Sequence, residues 1–167
     1  MTWGAIALLA VAVVAGTWDL RRGRIPNAVT YSAAAAGLLI SAIESGAAGL
    51  AAGVLGAGAA LAVGLPLFLW GGMGGGDVKL FAAVGALAGP YGLVQVFVAS
   101  LALGAAAAVA MLVWRGELLR TLWSVAVFFA TALTPRVRIV APLAGPRLRF
   151  GVCIALAGAG LALFGRP

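Results

Sequence analysis

Two aspartates are the residues best placed to do chemistry in this sequence. Asp19 lies in Trp18-Asp19-Leu20-Arg21-Arg22-Gly23-Arg24-Ile25-Pro26-Asn27, and Asp77 ends the glycine run Gly71-Gly72-Met73-Gly74-Gly75-Gly76. The only other carboxylates are Glu44 and Glu117, and the chain has no histidine. Both aspartates stand at the edge of a long apolar stretch, where an ionisable group is expensive to keep and calls for a reason. Two carboxylates brought within a few ångströms do not both ionise easily, so the pair holds one proton. Its protonated member can polarise a carbonyl while its ionised member takes a proton from water. This is the acid–base chemistry of an aspartic protease, and it requires neither metal nor cofactor. The lack of histidine removes the usual general base and the commonest metal ligand. Cys153, the single cysteine, can form neither an internal disulfide nor a paired-cysteine zinc site.

The glycines before Asp77 fit an active-site loop, because glycine lets backbone approach a substrate closely and adopts positive φ. Other glycine-loop chemistries fail on spacing. A phosphate-binding loop needs Gly-Lys followed by Ser or Thr, and Lys79 follows Val78. In a dinucleotide fingerprint starting at Gly72 and Gly74, the third glycine position is taken by Asp77.

The elements that must position the aspartates follow from composition. Of 167 residues 64% are hydrophobic and 9% charged, against about 25% charged in soluble domains. Apolar runs cover 3–18, 28–43, 47–70, 78–88, 93–114 and 150–164, and no polar stretch is long enough for a separate soluble domain. The expected architecture is all-α: one integral membrane domain over 1–167, with about six transmembrane helices. The net charge of +7 would suggest nucleic acid in a soluble protein. Here the basic residues sit in short loops between apolar runs and set orientation instead. Placing Arg21, Arg22 and Arg24 inside puts every basic loop, and both aspartates, on the cytoplasmic side. Trp3, Trp18, Trp70 and Trp114 fall at expected helix ends as interfacial anchors.

Residues 117–133 are apolar, but Glu117, Arg120, Thr121 and Ser124 form a polar stripe at helical spacing. A seventh crossing there would also place Arg136, Arg138, Arg147 and Arg149 outside, so an interfacial or re-entrant cytoplasmic helix is expected. The four arginines then meet anionic lipid headgroups. The run from Val78 spans only about 18 Å of helix against a hydrocarbon core of about 30 Å. Either it continues past Pro90, or its start lies below the membrane surface, which would set Asp77 in a recessed, water-filled notch. Lys79 reads as a snorkelling anchor, and Pro26-Asn27 as a helix start capped by Asn27. Glu44 and Glu117 read as solvated loop acids.

Asp19 with Arg22, Ile25-Pro26-Asn27 and Thr30 resembles the first-aspartate motif of the type IV prepilin peptidases. Gly74-Gly75-Gly76-Asp77 with Val78-Lys79-Leu80 is similar to their Gly-x-Gly-Asp motif. The likeness runs from about Asp19 to Leu87, and Phe150-Gly151-Val152 at the start of the last run is compatible with it. The resemblance implies a multi-pass peptidase of the bacterial inner membrane, with Asp19 and Asp77 as a cytoplasm-facing catalytic pair. Its substrate would be a prepilin, whose short basic leader is removed after a glycine while its hydrophobic helix lies in the lipid. Longer members carry an N-terminal extension with paired zinc-binding cysteines, associated with N-methylation. This chain starts at its first helix without those cysteines and resembles the minimal Flp/Tad-type form, which implies cleavage alone. Two other classes remain: a proton-coupled transporter, which needs its acids deep in the spans, and a structural subunit of a secretion machine, which does not need the aspartates.

Overall fold

A computed structural model describes residues 2–23, 25–132 and 150–165, the side chains of 128–132 excepted. Arg24, Arg136, Arg138, Arg147 and Arg149 lie outside the described residues. The described residues form five helices and no strand: α1 (Trp3–Arg22), α2 (Asn27–Leu69), α3 (Gly75–Arg115), α4 (Leu118–Ala132) and α5 (Phe150–Phe164). Three of them, α1, α2 and α3, are long and apolar enough to cross a membrane. The chain separates into two compact units. One holds the described residues up to Leu103 together with α5, and the other runs from Gly104 through α4.

Helix α1 is capped at both ends. The Thr2 hydroxyl accepts the Ala5 N–H at 3.2 Å, and Gly23 in the left-handed region (φ 61°) donates its N–H to the Asp19 carbonyl at 2.9 Å. A further tie comes from Glu44, whose carboxylate accepts the Gly4 N–H at 3.2 Å; the expected solvated acid thus holds the start of α1. The buried residues Leu8, Ala12, Ala15, Gly16 and Asp19 follow one helical stripe, and Asp19 is its last member.

Helices α2 and α3 each double back. In α2 the helical dihedrals break at Ser45 and Gly46 (φ 60°), where Glu44-Ser45-Gly46 was expected to close a run. Residues on either side then face each other: a side chain at Gly49 would meet the Ser41 backbone, and one at Gly53 would lie 3.1 Å from Leu38 Cδ2. In α3 the break is Gly89 (φ 66°), and Phe81 packs edge-on against Phe97 with ring centroids 5.5 Å apart. The expected turn over Gly89–Gly92 is tighter than its composition suggested. Pro90 already begins the returning helix, a first-turn position where its missing N–H costs nothing. The expected helix over 117–133 is present as α4, entered through Gly116 (φ 68°).

The segment 75–88 is the centre of the first unit. Val78, Leu80, Phe81, Ala83, Val84 and Ala86 are all buried, so this helix is covered nearly all round. The close approach that covers it comes from glycines. Ideal Cβ atoms at Gly56 and Gly85 would each collide with the other residue's backbone, and one at Gly64 would lie 2.9 Å from Val78 Cγ1. Small residues at such crossings let helix backbones touch where lipid supplies no hydrophobic drive for association. Helix α5 presents Gly151, Ala155, Gly158 and Ala162 along one buried face, with Ala155 against Gly16 and Gly158 near Leu8. Buried hydroxyls are answered by helix carbonyls: Ser100 donates to Val96 O (2.6 Å) and Ser41 to Ala86 O (3.2 Å).

The Gly56–Gly85 crossing should not tolerate a methyl group. We expect Gly56→Ala to cost about 1–3 kcal/mol through overpacking and to lower the thermal midpoint in detergent. Gly58→Ala, where nothing lies within 4 Å, is expected to leave it unchanged.

Candidate active site

Asp19 and Asp77 are brought together. Asp19 lies in the last turn of α1 and is 5% exposed; Asp77 is the third residue of α3 and half-buried. Both carboxylates converge on Gly151 in the first turn of α5. A Cβ at Gly151 would lie 2.8 Å from Asp19 Oδ2 and 3.0 Å from Asp77 Oδ1. The two oxygens are therefore at most about 6 Å apart, close enough for each charge to act on the other. Asp19 Oδ2 is buried with no hydrogen-bond partner among the described residues.

Local sequence explains both placements. Asp19 closes a stripe of small and apolar residues that faces α5, and Gly23 ends the helix one turn later, so the carboxylate stays on the packed face. Asp77 is set by the start of α3, where the Gly74 carbonyl accepts the N–H groups of Asp77 (3.0 Å) and Val78 (3.2 Å). Four residues beyond Asp77, Phe81 stacks at 6.3 Å on Phe150, the neighbour of Gly151. This contact fixes the first turn of α5 against the start of α3.

The glycine run acts differently from the expected flexible, positive-φ loop. Within it only Gly71 has positive φ (76°); Gly75 and Gly76 are already helical. At Gly74 and Gly75 the use is clearance. A Cβ at Gly74 would lie 3.1 Å from Asp77 Oδ2 and at Gly75 3.3 Å from the Phe68 ring, whereas one at Gly76 would make an ordinary contact, 3.7 Å from Ile25. The run thus lets α3 begin tightly between the end of α2 and the segment that follows α1.

The remaining motif residues form a bracket beside the pair. Pro26 is the N-cap of α2, and Asn27 is its first helical residue rather than the expected cap. The Asn27 carboxamide is instead turned across to α3, where its Oδ1 accepts Lys79 Nζ at 2.9 Å. Lys79 also sits 5.4 Å over the Tyr31 ring. This lysine is therefore engaged by protein on two sides, not extended as a free anchor. Thr30 is 1% exposed and donates to the Asn27 carbonyl at 3.1 Å. Arg22 is turned away, its guanidinium 5.1 Å over the Trp18 ring.

Gly151 is the site residue whose role the sequence did not reveal; Phe150-Gly151-Val152 is compatible with the family likeness and carries no assigned function. It is one of 25 glycines. Among the described residues no cluster of three or more His, Cys, Asp or Glu could hold a metal. The Lys79 bracket can be tested directly. Lys79→Met is expected to loosen the start of α3 and reduce turnover about tenfold, from one lost charge-assisted bond of about 1.5 kcal/mol. Lys79→Arg, which can still reach Asn27 and stack on Tyr31, should keep most of it.

No curated protein and no solved structure matches the chain. Residues 6–109, which contain both aspartates, the Asn27–Lys79 bracket and the glycine run, match the family model described as the type IV leader peptidase family. The chain thus belongs to the type IV leader peptidase family, and its role is that of a protease acting on prepilin leaders.

Proposed function

We propose that this protein is an intramembrane aspartic endopeptidase that removes the basic leader of a type IV prepilin, with Asp19 and Asp77 as its catalytic pair. The observation that carries the reading is the convergence of both carboxylates on one point beside Gly151, in a chain with only four acids. One carboxyl donates its proton to the scissile carbonyl oxygen while the other takes a proton from water. The hydroxide so formed adds to the carbonyl carbon, giving a tetrahedral intermediate. Its collapse breaks the C–N bond, and a carboxyl proton goes to the departing amine. The shared proton belongs to the pair, and its position alternates through the cycle.

Six crossings are the topology we infer, counting α1, the two arms of α2, the two arms of α3, and α5. The exposed Trp3, Trp70 and Trp114 support this, lying at the ends of these segments where interfacial anchors belong. The arginines at the end of α1 and just beyond it, Arg21, Arg22 and Arg24, support a cytoplasmic site, where the leader of a prepilin would present itself while its apolar helix lies among lipid. Cleavage of a Flp/Tad-type substrate is what the motif resemblance implies. Helix α4 we read as lying on the cytoplasmic surface, which its polar positions Arg120, Thr121 and Ser124 favour.

Two experiments test these points. Co-expressed prepilin should remain uncleaved with Asp19→Asn and with Asp77→Asn, seen as retention of the slower-migrating form on a gel. Normal processing by either variant would sink the dyad. For orientation, single cysteines replacing Gly23 and Ser45 in a Cys153→Ser background should react oppositely with an impermeant maleimide added to intact spheroplasts. Position 45 should label at once, and position 23 only after the membrane is opened.

A further inference from the structure

We propose that Gly151 is a positioning residue of this peptidase. Its missing side chain keeps open the space between the two carboxylates in which the scissile carbonyl and the attacking water must meet. The inference rests on the dyad reading above and adds a third helix to the site. It is independent of the family match, which ends at residue 109, before α5 begins.

The geometry leaves no slack for a methyl group. A Cβ at this position would stand 2.8 Å from Asp19 Oδ2, 3.1 Å from Asp19 Cγ and 3.0 Å from Asp77 Oδ1. It would touch both carboxylates at once. Asp19 Oδ2 belongs to a 95%-buried side chain and has no partner among the described residues. An unsatisfied buried oxygen of that kind is held open for a polar group that arrives later.

Retreat of helix α5 would open its packing on α1 and α3. Ile154 is fully buried, and Ala155 meets Gly16 at an ideal Cβ distance of 3.1 Å. Phe150 is held on Phe81. Rotation of the aspartate side chains absorbs a methyl group at Gly151 without breaking these contacts, and it moves the reacting atoms rather than the helices. Displacements of about 1 Å in a catalytic pair can cost about 100-fold in rate. Alanine is also the better helix former, so loss of activity would not come from weakening α5 itself.

The test uses the full chain, purified in detergent, with a prepilin substrate. Gly151→Ala is compared with Gly160→Ala, a site on the same helix with nothing within 4 Å. The thermal midpoint of each variant in detergent reports whether the helix packing is kept. The expected result is a kcat about 100-fold lower for Gly151→Ala, with KM and the thermal midpoint unchanged. Gly160→Ala should cleave normally. The proposal is overturned if Gly151→Ala cleaves like the parent, if only KM rises, or if cleavage and thermal midpoint fall together, which would make Gly151 a packing residue. Cleavage by Asp19→Asn in the same assay would overturn the dyad reading itself. Failure of the Gly151 proposal alone would leave both aspartate variants inactive.

Discussion

Everything in the first unit depends on helices approaching more closely than ordinary side chains allow. Gly56 and Gly85 press backbone on backbone, Gly64 admits Val78, and Gly16 admits Ala155. In lipid this proximity does what water expulsion does for soluble cores, because dispersion grows steeply as surfaces meet and no apolar–aqueous contrast is available between helices. The same proximity positions the carboxylates. With larger residues at these crossings, α1, α3 and α5 would stand further apart, and a side chain as short as aspartate could not reach a common point. The small-residue packing and the candidate dyad are two results of one geometric condition.

Much of the scaffold could be read from composition because lipid-embedded chains have few options. Backbone polar groups must be satisfied within the segment, so apolar runs become helices. Glycine and proline then mark the turns, as at Ser45-Gly46, Gly89-Pro90 and Gly116. The aspartates were legible for a different reason: in a chain with four acids, two at apolar edges stand out. Pairings across long separations were not legible. Asn27 looked like a cap because its position next to a helix start fits that role, yet its partner is Lys79, 52 residues away. Glu44 is exposed, as expected of a loop acid, and it also closes on Gly4, 40 residues away. Periodicity describes which face of a helix is apolar and is silent about which helix that face meets.

The glycines show the same limit from another side. In the sequence they form one class, and conformational freedom is the natural reading for a run of them. In the fold they divide. Those at the turns have positive φ and, apart from Gly89, open space, whereas Gly74, Gly75 and Gly151 have close neighbours and need only the lack of a side chain. A glycine kept for clearance leaves no mark in its own neighbourhood, since what excludes a side chain there belongs to another part of the chain.

The hydroxyls of Ser41 and Ser100 are matched to carbonyls, whereas one oxygen of Asp19 is left unmatched among the described residues. A buried acceptor in that condition costs about 1–3 kcal/mol, and domains of this size have only about 5–15 kcal/mol in total. An apolar residue of similar shape at position 19 would complete the α1 stripe and relieve that cost. On the proposed catalytic reading, the most stable version of this bundle is an inert one. Thermostabilisation that treats every position alike would remove Asp19 early, and a screen on folding alone would select against one half of the proposed pair.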